Sequence, residues 1–514
     1  MRTVVVDVGP VADHEVLAVA RQGAPVQLSE QARQAIAATR EVIDALAGDA
    51  VPHYGISTGF GALATVHIGP DRRAALQTSL IRSHAAGSGT PVEREVVRGL
   101  MLLRLSTLAT GRTGVRPATA QAYVDLLNAG ITPVVPEYGS LGCSGDLAPL
   151  AAVALALMGE GEVFDAEGER VPAATALRAA GLQPIVLAEK EGLALINGTD
   201  GMLGQLVMAL ADIDELLDVA DLSGAMSVEA LLGTDRVFAA ELQALRPQHG
   251  QAVSAARIAA ILRGSPIVAS HAGPEDTRVQ DAYSLRCAPA VHGTARDTAG
   301  YARTIAEREL AAAIDNPVVL PDGRVESNGN FHGAPVAAVL DFLAISIADV
   351  ANICERRTDR MLDQARSHGL PPFLAYEVGV DSGHMIAQYT QAGLVAELKR
   401  LAVPASVDSI PSSAMQEDHV SLGWHAARKL RRGVDALRRV IAVELLTAAR
   451  ALDFRAPLQP GEVTGAVLAL IRTKVDGPGP DRHLAAEIDA VVELLASGAI
   501  HQTLENALSG KVSQ

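Results

Sequence analysis

The chain has 514 residues and a formal net charge of −16, and 49% of its residues are hydrophobic but only 3% are aromatic. This length can bury a large core, and the acidic balance excludes a general nucleic-acid binder, because binding to phosphates needs a basic face. An apolar fraction rich in Ala and Leu favours helices, since these residues lose little conformational freedom in them.

Short elements and turn-rich segments alternate over the first 190 residues. A helix is predicted from Ser29, a suitable N-cap, to Gly48, a suitable C-terminal stop. The other segments are, in chain order, a strand near 3–8, a turn-rich segment at 53–70, helices at about 71–85 and 92–109, a Gly- and Pro-rich loop with a short helix within 111–150, and a candidate hairpin within 160–190.

Long helices dominate from residue 200 onwards, at about 200–221, 298–315, 335–363, 386–402 and 419–452. The longest apolar stretch, 334–354, carries Asp341 and Asp349, so we interpret it as a buried helix rather than a membrane span. The sequence therefore predicts a mainly α fold. Residues 1–200 would form a smaller mixed N-terminal region with the active-site loops, and 201–514 a long-helix bundle with C-terminal helices, in one continuous catalytic unit.

The cysteines and the N-terminus indicate the compartment. Cys143, Cys287 and Cys354 form neither an even disulfide framework nor a CxxC metal motif. The apolar run before Asp7 is too short for a signal peptide. We therefore expect a cytoplasmic protein that contacts no membrane.

Four loops combine glycine with polar groups and scarce aromatic residues, and catalytic residues concentrate on such loops. They are 54–61 (YGISTGFG), 139–149 (GSLGCSGDLAP), 280–287 (QDAYSLRC) and 412–419 (SSAMQEDH). Each alone has an ordinary interpretation. In chain order, these are a turn between helices, a Ser/Gly loop before a helix capped near Asp146, a surface Arg–Tyr pair, and carboxylates at the start of a helix.

The tripeptide Cys143-Ser144-Gly145 also suggests a specific reaction. Gly145 has no side chain to keep its amide nitrogen away from the carbonyl carbon of Cys143. Attack at that carbon and the loss of two waters, the second of which takes the Ser144 hydroxyl, would close a five-membered ring with an exocyclic methylidene. The product would be an electrophile made from the chain itself.

Three further residues could form hydrogen bonds to a substrate. The guanidinium of Arg286 could take a carboxylate with two hydrogen bonds. Asn197 stands in an Asn-Gly-Thr sequence, but without a secretory signal it is better interpreted as an amide partner for a substrate than as a glycosylation site. A lone histidine such as His84 is more often a satisfied structural residue.

Taken together, these segments resemble the ammonia-lyase family that uses a 4-methylideneimidazol-5-one group (MIO). The resemblance runs from about residue 54 to 452, with the motifs in the family's order; GSLGCSGDLAP is the most specific, and SLRC, SNGNFHG and SSAMQEDHVS support it. It implies a long central helical bundle of the ammonia-lyase and fumarase-like type. It also implies a homotetramer whose active sites are shared between subunits.

The resemblance further implies a role for each matching residue. Cys143, Ser144 and Gly145 would form MIO autocatalytically, with no external cofactor and no metal. The other roles would be Tyr54 as the base that removes a β-proton, Tyr283 and Arg286 for the substrate carboxylate, Asn197 for holding the electrophile and substrate, Gln280 and Phe331 for lining the pocket, and His84 and Glu417 for the imidazole ring. The expected reaction is the elimination of ammonia from L-histidine to give trans-urocanate, the first step of histidine degradation.

The chain departs from the family's common pattern at three positions. Cys143 stands where Ala is commonest, Ala290 where many members have Gln, and Met415 where many have Asn. The nearest alternative is a phenylalanine or tyrosine ammonia-lyase or a 2,3-aminomutase on the same scaffold. His84 and Glu417 favour histidine over these, because the relatives usually carry apolar or amide residues there.

Two more distant alternatives remain. The fumarase and argininosuccinate-lyase group is disfavoured, because the Pro and Lys that should follow the segment 412–415 are absent. A helical scaffold or binding module without catalytic activity is disfavoured by the intact Ser144 tripeptide together with Tyr54 and Arg286.

Overall fold

The protein is mainly α-helical in a computed structural model, which describes residues 2–49, 53–63, 65–273 and 279–510. The predicted fold class is therefore confirmed. The chain divides into two compact units: Met1–Met208, Ala302–Asp341 and Pro404–Arg428 form the first, and Ala209–Tyr301, Phe342–Val403 and Lys429–Gln514 form the second. Each unit thus draws on three stretches of chain, and the functional division near residue 200 stays a prediction.

The first unit is built around the helix Arg94–Ala109. Every residue of this helix from Val96 onwards is buried, as expected for a helix in the interior of a core. The other helices within this unit are Asp13–Gln22, Glu30–Ala47, Arg73–His84, Pro117–Asn128, Leu147–Leu157, Ala173–Ala179 and Glu191–Ala194, with 3₁₀ turns at Gly61–Leu63, Pro70–Arg72 and Ser413–Met415.

The described residues of the second unit form helices joined by loops, with no strand among them. Its own helices are Ala240–Ala244, His249–Leu262, Pro266–Ala269, Tyr283–Arg286, Met385–Leu401, Glu462–Arg472, Leu484–Ala496 and Ala499–Leu508, with 3₁₀ turns at Arg236–Phe238 and Pro372–Leu374.

Four of the five boundaries between the units fall inside long helices, which are Asp200–Ala230, Ala288–Leu310, Ala334–Leu362 and Gly423–Asp453; the fifth follows the helix Met385–Leu401, between residues 403 and 404. Within the described ranges, Ala334–Leu362 is the one helix long and apolar enough to cross a membrane, yet 72% of its most apolar window is buried inside the protein. Such burial is typical of the core helix of a soluble protein, and it confirms the prediction of a buried helix.

The strands are short and lie in the first unit. Val4–Val6 pairs in parallel with Val26–Leu28, and the other pairs are antiparallel. The antiparallel pairs are Ser88–Pro91 with Pro136–Tyr138, Thr132–Pro133 with Glu162–Phe164, Glu162–Phe164 with Arg170–Pro172, and Val318–Val319 with Val325–Glu326. The hairpin predicted within 160–190 is therefore confirmed.

Helix boundaries show where local patterns succeed and fail. The Ser29 hydroxyl accepts a hydrogen bond from the Ala32 amide, so the predicted N-cap is confirmed. The boundaries predicted at 298–315 are wrong, because the helix is Ala288–Leu310 and tolerates Pro289 at its second position. The last long helix begins at Gly423 instead of 419, since Leu422 has a positive φ of 52°.

Candidate active site

The tripeptide Cys143-Ser144-Gly145 is held in a bend that only glycine allows at its third position. Gly145 has a φ of +77°, and a Cβ added to it would lie 2.1 Å from the carbonyl oxygen of Gly198. Gly145 and Gly198 form a parallel β-bridge, in which the Asp146 amide donates to the Gly198 oxygen at 2.8 Å. The bend is therefore fixed by a second segment of chain pressed against it.

The residues before the tripeptide are clamped by two other loops of the first unit. The Gly142 carbonyl accepts hydrogen bonds from the Ser421 hydroxyl at 2.9 Å and from the Gly333 amide at 3.2 Å. The Leu141 carbonyl accepts one from the Leu422 amide at 2.9 Å. These bonds bring the SNGNFHG and QEDHVS motifs, which are distant in sequence, to the tripeptide.

A fully buried carboxylate, that of Asp146, follows the tripeptide. Asp146 immediately precedes the helix Leu147–Leu157, but its side chain does not cap that helix. Its two oxygens accept hydrogen bonds from the Ser140 hydroxyl and from the Met202 amide, both at 2.8 Å. Burial raises the pKa of Asp146 to about 7. The helix therefore begins after Asp146 as predicted, but the Asp146 side chain does not cap it. Its carboxylate instead links the loop before the tripeptide to the helix Asp200–Ala230.

Glu417 lies beside the tripeptide. The Cys143 thiol is only 6% exposed, and burial, followed by the charge of the nearby Glu417 carboxylate, raises the pKa of Cys143 to about 12. The Ser412 hydroxyl donates to Oε2 of Glu417 at 3.0 Å. Because the next helix begins only at Gly423, the interpretation of Glu417 as a partner of the helix dipole is wrong.

The Tyr54 loop contacts the segment that carries Glu417. The half-buried Tyr54 hydroxyl accepts a hydrogen bond from the Gly61 amide at 3.2 Å, which fixes the direction of the phenol. A Cβ added to Gly61 would lie 3.2 Å from the Ser413 hydroxyl. Tyr54, the 412–417 segment and the tripeptide thus form a chain of contacts within the first unit.

Asn197 is buried directly behind Gly145. It is 4% exposed, and its side-chain amide donates to the Leu193 carbonyl at 3.2 Å. Its own carbonyl accepts a hydrogen bond at 2.5 Å from Arg104, which is fully buried. The structure therefore places Asn197 at the tripeptide, next to Gly198.

Phe331 is half-buried and lies two residues before Gly333, in the loop that clamps the tripeptide. The following residue, His332, contacts His419: the nitrogen atoms Nε2 and Nδ1 are 3.3 Å apart and the ring centroids 5.3 Å. This histidine pair joins the loop of Phe331 to the loop of Glu417.

His84 is half-buried at the end of the helix Arg73–His84. Its Nδ1 lies 2.9 Å from the Leu80 carbonyl oxygen and 3.1 Å from the Ser83 hydroxyl. Nδ1 of His84 therefore has a hydrogen-bond partner in its own helix. This supports the interpretation as a structural histidine for Nδ1.

Gln280, Tyr283 and Arg286 belong to the second unit. Gln280 is exposed, and so is 71% of Tyr283, over whose ring the Arg286 guanidinium lies at 4.6 Å from the centroid. Gln280 and Arg286 line a cavity of about 290 Å³ together with Arg236 and His271. This cavity therefore holds two guanidinium groups, which can pair with a carboxylate, beside the side chains of Asp235 and Asp281.

One group of potential metal ligands occurs among the described residues, formed by Asp218, His501 and Glu505. Arg257 contacts both carboxylates, at 3.1 and 2.6 Å, and Arg296 contacts Asp218 at 2.9 Å. Since guanidinium groups already compensate the negative charge, this group is explained as an ion-pair network.

The structure thus brings together seven of the predicted site residues in the first unit by direct contacts or adjacency. These are Tyr54, Cys143, Ser144, Gly145, Asn197, Phe331 and Glu417. The motifs do not predict Arg104, Ser412 or the His332–His419 pair. The sequence contains one indication of Arg104, because a charged residue stands there among apolar residues of a predicted helix. Ser412 and the His332–His419 pair are recognised only from contacts between loops.

Comparisons with known proteins identify the family of the chain. The family model for aromatic amino acid lyases matches residues 12–473. The chain belongs to the aromatic amino acid lyase family. As a member of this family it is an ammonia-lyase, a carbon–nitrogen lyase, which confirms the class of enzyme predicted from the motifs.

Individual relatives of this aromatic amino acid lyase cover nearly its whole length. A histidine ammonia-lyase of Streptomyces coelicolor is 63% identical over 507 residues, which cover 98% of this chain and 99% of that protein. The crystal structure of histidine ammonia-lyase from Trypanosoma cruzi matches with a TM-score of 0.91 and 39% identity, covering 98% and 96% of the two chains. A tyrosine aminomutase from Streptomyces globisporus matches with a TM-score of 0.93 and 35% identity, covering 100% and 99%.

Proposed function

We propose that the protein eliminates ammonia from L-histidine to give trans-urocanate. The observation that carries this proposal is the Glu417 carboxylate, which accepts from the Ser412 hydroxyl at 3.0 Å and lies close enough to the tripeptide to raise the pKa of Cys143. A carboxylate there can accept a hydrogen bond from an imidazole N–H, whereas a phenyl ring has no donor for it. The 63% identity to the Streptomyces coelicolor histidine ammonia-lyase supports the same substrate.

The tripeptide fits the formation of MIO. Gly145 already has the positive φ of +77° that brings a tight bend, and no Cβ fits there. Cys143, Ser144 and Gly145 would form the group from the chain itself, with no external cofactor. When formed, MIO supplies an electrophile for the substrate amine, so that ammonia becomes a better leaving group.

The remaining residues of the first unit would bind and deprotonate the substrate. Tyr54 is proposed to remove the β-proton, because its hydroxyl is oriented by the Gly61 amide on a loop that contacts the Glu417 segment. A positioned side chain of this kind contributes typically about 10²–10⁴-fold to a proton transfer. Asn197 would hold the tripeptide and the substrate, and Phe331 would form a wall of the pocket.

His84 is proposed as the second group for the imidazole ring. Its Nδ1 bonds to its own helix, which orients the ring and leaves Nε2 as the atom for substrate contact. Gln280 is proposed to line the pocket, and Tyr283 and Arg286 to bind the substrate carboxylate, with Arg286 forming the ion pair. We further propose a cytoplasmic homotetramer whose sites are shared between subunits and which performs the first step of histidine degradation.

A phenylalanine or tyrosine ammonia-lyase or a 2,3-aminomutase remains the second candidate. The aminomutase fold match supports it, since its TM-score of 0.93 is slightly above the 0.91 of the histidine enzyme. The position of Glu417 argues against a phenylalanine substrate, because a phenyl ring offers this carboxylate no hydrogen-bond donor.

One assay separates these candidates. Purified protein is incubated separately with L-histidine, L-phenylalanine and L-tyrosine, and the ultraviolet absorbance of each conjugated acid is followed. Urocanate is the expected product; cinnamate or coumarate without urocanate would overturn the proposed substrate. Cys143→Ala should retain activity, because ring closure uses only its backbone, whereas Ser144→Ala should abolish activity and sensitivity to borohydride.

A further inference from the structure

A buried arginine stands behind the segment that presses on Gly145. Arg104, on the helix Arg94–Ala109, is fully buried. It donates one hydrogen bond to the Asn197 carbonyl at 2.5 Å and one to the Ile314 carbonyl at 2.8 Å. The same group lies 3.4 Å from Oδ2 of Asp200. One rigid guanidinium therefore holds two backbone segments together, at Asn197 and at Ile314.

Gly198 fills the whole space between this arginine and the tripeptide. A Cβ on Gly198 would lie 2.6 Å from Nη1 of Arg104 and 2.2 Å from Oδ2 of Asp200. On its other side, the Gly198 oxygen would lie 2.1 Å from a Cβ on Gly145. Arg104, Gly198 and Gly145 are thus stacked without free space, so Gly145 cannot retreat from Cys143 unless the stack moves.

We propose that Arg104 is a positioning residue for the self-cyclisation of Cys143-Ser144-Gly145. This inference rests on the proposed function, because that function requires the cyclised group. In the reaction, the Gly145 amide nitrogen forms a bond to the carbonyl carbon of Cys143, and the carbonyl oxygen leaves as water with two protons from the reacting groups. The Ser144 hydroxyl then leaves with the α-hydrogen of Ser144 as a second water, so no oxidant or reductant is needed.

The rate of this cyclisation depends on the proximity of the two reacting atoms. A backbone amide nitrogen is a weak nucleophile, so a reaction without any cofactor must gain its rate from enforced contact between nitrogen and carbon. Well-oriented groups on one chain can gain several orders of magnitude in rate, and a displacement of about 1 Å can cost roughly 100-fold. Arg104 makes the segment that packs against Gly145 rigid, because its hydrogen bonds to the carbonyl oxygens of Asn197 and Ile314 lie in a buried core.

The chain offers a matched control on the same helix. Arg98 is also buried, at 3% exposure, and donates to the Val19 carbonyl at 3.0 Å and to the Leu127 carbonyl at 3.2 Å. Lysine at either position keeps the positive charge but cannot reproduce the planar fork of donors. Arg98→Lys and Arg104→Lys therefore disturb the core in a similar way, and only Arg104→Lys disturbs the stack.

The test measures cyclisation itself instead of activity. Full-length wild type and both variants are expressed in a short pulse, checked for folding by circular dichroism and gel filtration, and digested at intervals. Mass spectrometry then gives the fraction of the peptide with residues 143–145 that has lost two waters. Arg104→Lys should cyclise roughly 10- to 100-fold more slowly than wild type, and Arg98→Lys at the wild-type rate.

A second variant keeps the inference testable if Arg104→Lys does not fold. Gly198→Ala leaves both buried charges in place but forces a displacement in the stack, and it should slow cyclisation in the same way. If a folded Arg104→Lys or Gly198→Ala protein cyclises at the wild-type rate, the inference is overturned while the proposed function stands. If the wild-type peptide has not lost two waters, the proposed electrophile fails, and this inference fails with it.

Discussion

The carboxylate of Glu417 provides the sharpest test of substrate choice, and Glu417→Gln is the change that isolates it. Glutamine keeps the size of the side chain and can still accept from the Ser412 hydroxyl, which lies 3.0 Å from Oε2. It removes the negative charge that the imidazole N–H would meet. A hydrogen bond to a charged group contributes about 1.5–3 kcal/mol. At about 1.36 kcal/mol per factor of ten, kcat/KM for L-histidine should fall about 10- to 160-fold.

A weaker perturbation of the same carboxylate should have a graded effect. Ser412→Ala removes a neutral hydroxyl that donates to Glu417, and such a bond contributes about 0.5–1.5 kcal/mol. The expected loss in kcat/KM is therefore about 2- to 10-fold. In the double variant the two losses should not add, because the hydroxyl acts only through the carboxylate.

The assay follows urocanate absorbance under kcat/KM conditions, with peptide mass spectrometry on each variant. The tripeptide must have lost two waters to the same extent as in wild type, so that changed substrate recognition is measured and not defective maturation. A fully cyclised Glu417→Gln enzyme with unchanged kcat/KM for L-histidine would refute the role of this carboxylate.

Two further predictions concern the second unit. Arg357→Met should lower the free energy of unfolding by about 3–5 kcal/mol, because it leaves the fully buried Glu444 carboxylate without the ion pair made at 2.5 Å; urea unfolding would check this, and Arg400→Met at an exposed pair should change little. The pKa of His501 is raised, chiefly by its hydrogen bond to Asp218, so this contact stabilises the fold below the ordinary histidine pKa and is lost as the pH rises through the raised value. The melting temperature should therefore fall between pH 6 and pH 8 by more in wild type than in His501→Gln; equal falls would contradict the role of this contact.

The individual elements show what local patterns can predict. Ser29 was identifiable as an N-cap because capping depends on one hydroxyl and an amide three residues later, both local in sequence. The start of the last long helix cannot be predicted in this way. The Leu422 amide donates to the carbonyl of Leu141, which is far away in sequence. The predicted start at residue 298 is ten residues too late for the helix Ala288–Leu310. Pro289 lies in its first turn, and a proline is compatible with that position although it would break the interior of a helix.

The sequence by itself determined the family, the class of reaction and the identity of the tripeptide, because these depend on residue types in a fixed order. Only the tertiary structure decided how the bend at Gly145 is held, that Glu417 lies near Cys143, and that Arg104 packs against Gly198. These relations join residues that lie about 50 to 270 positions apart along the chain. They arise from packing and hydrogen bonds between loops, and no periodicity or spacing in the sequence encodes them directly.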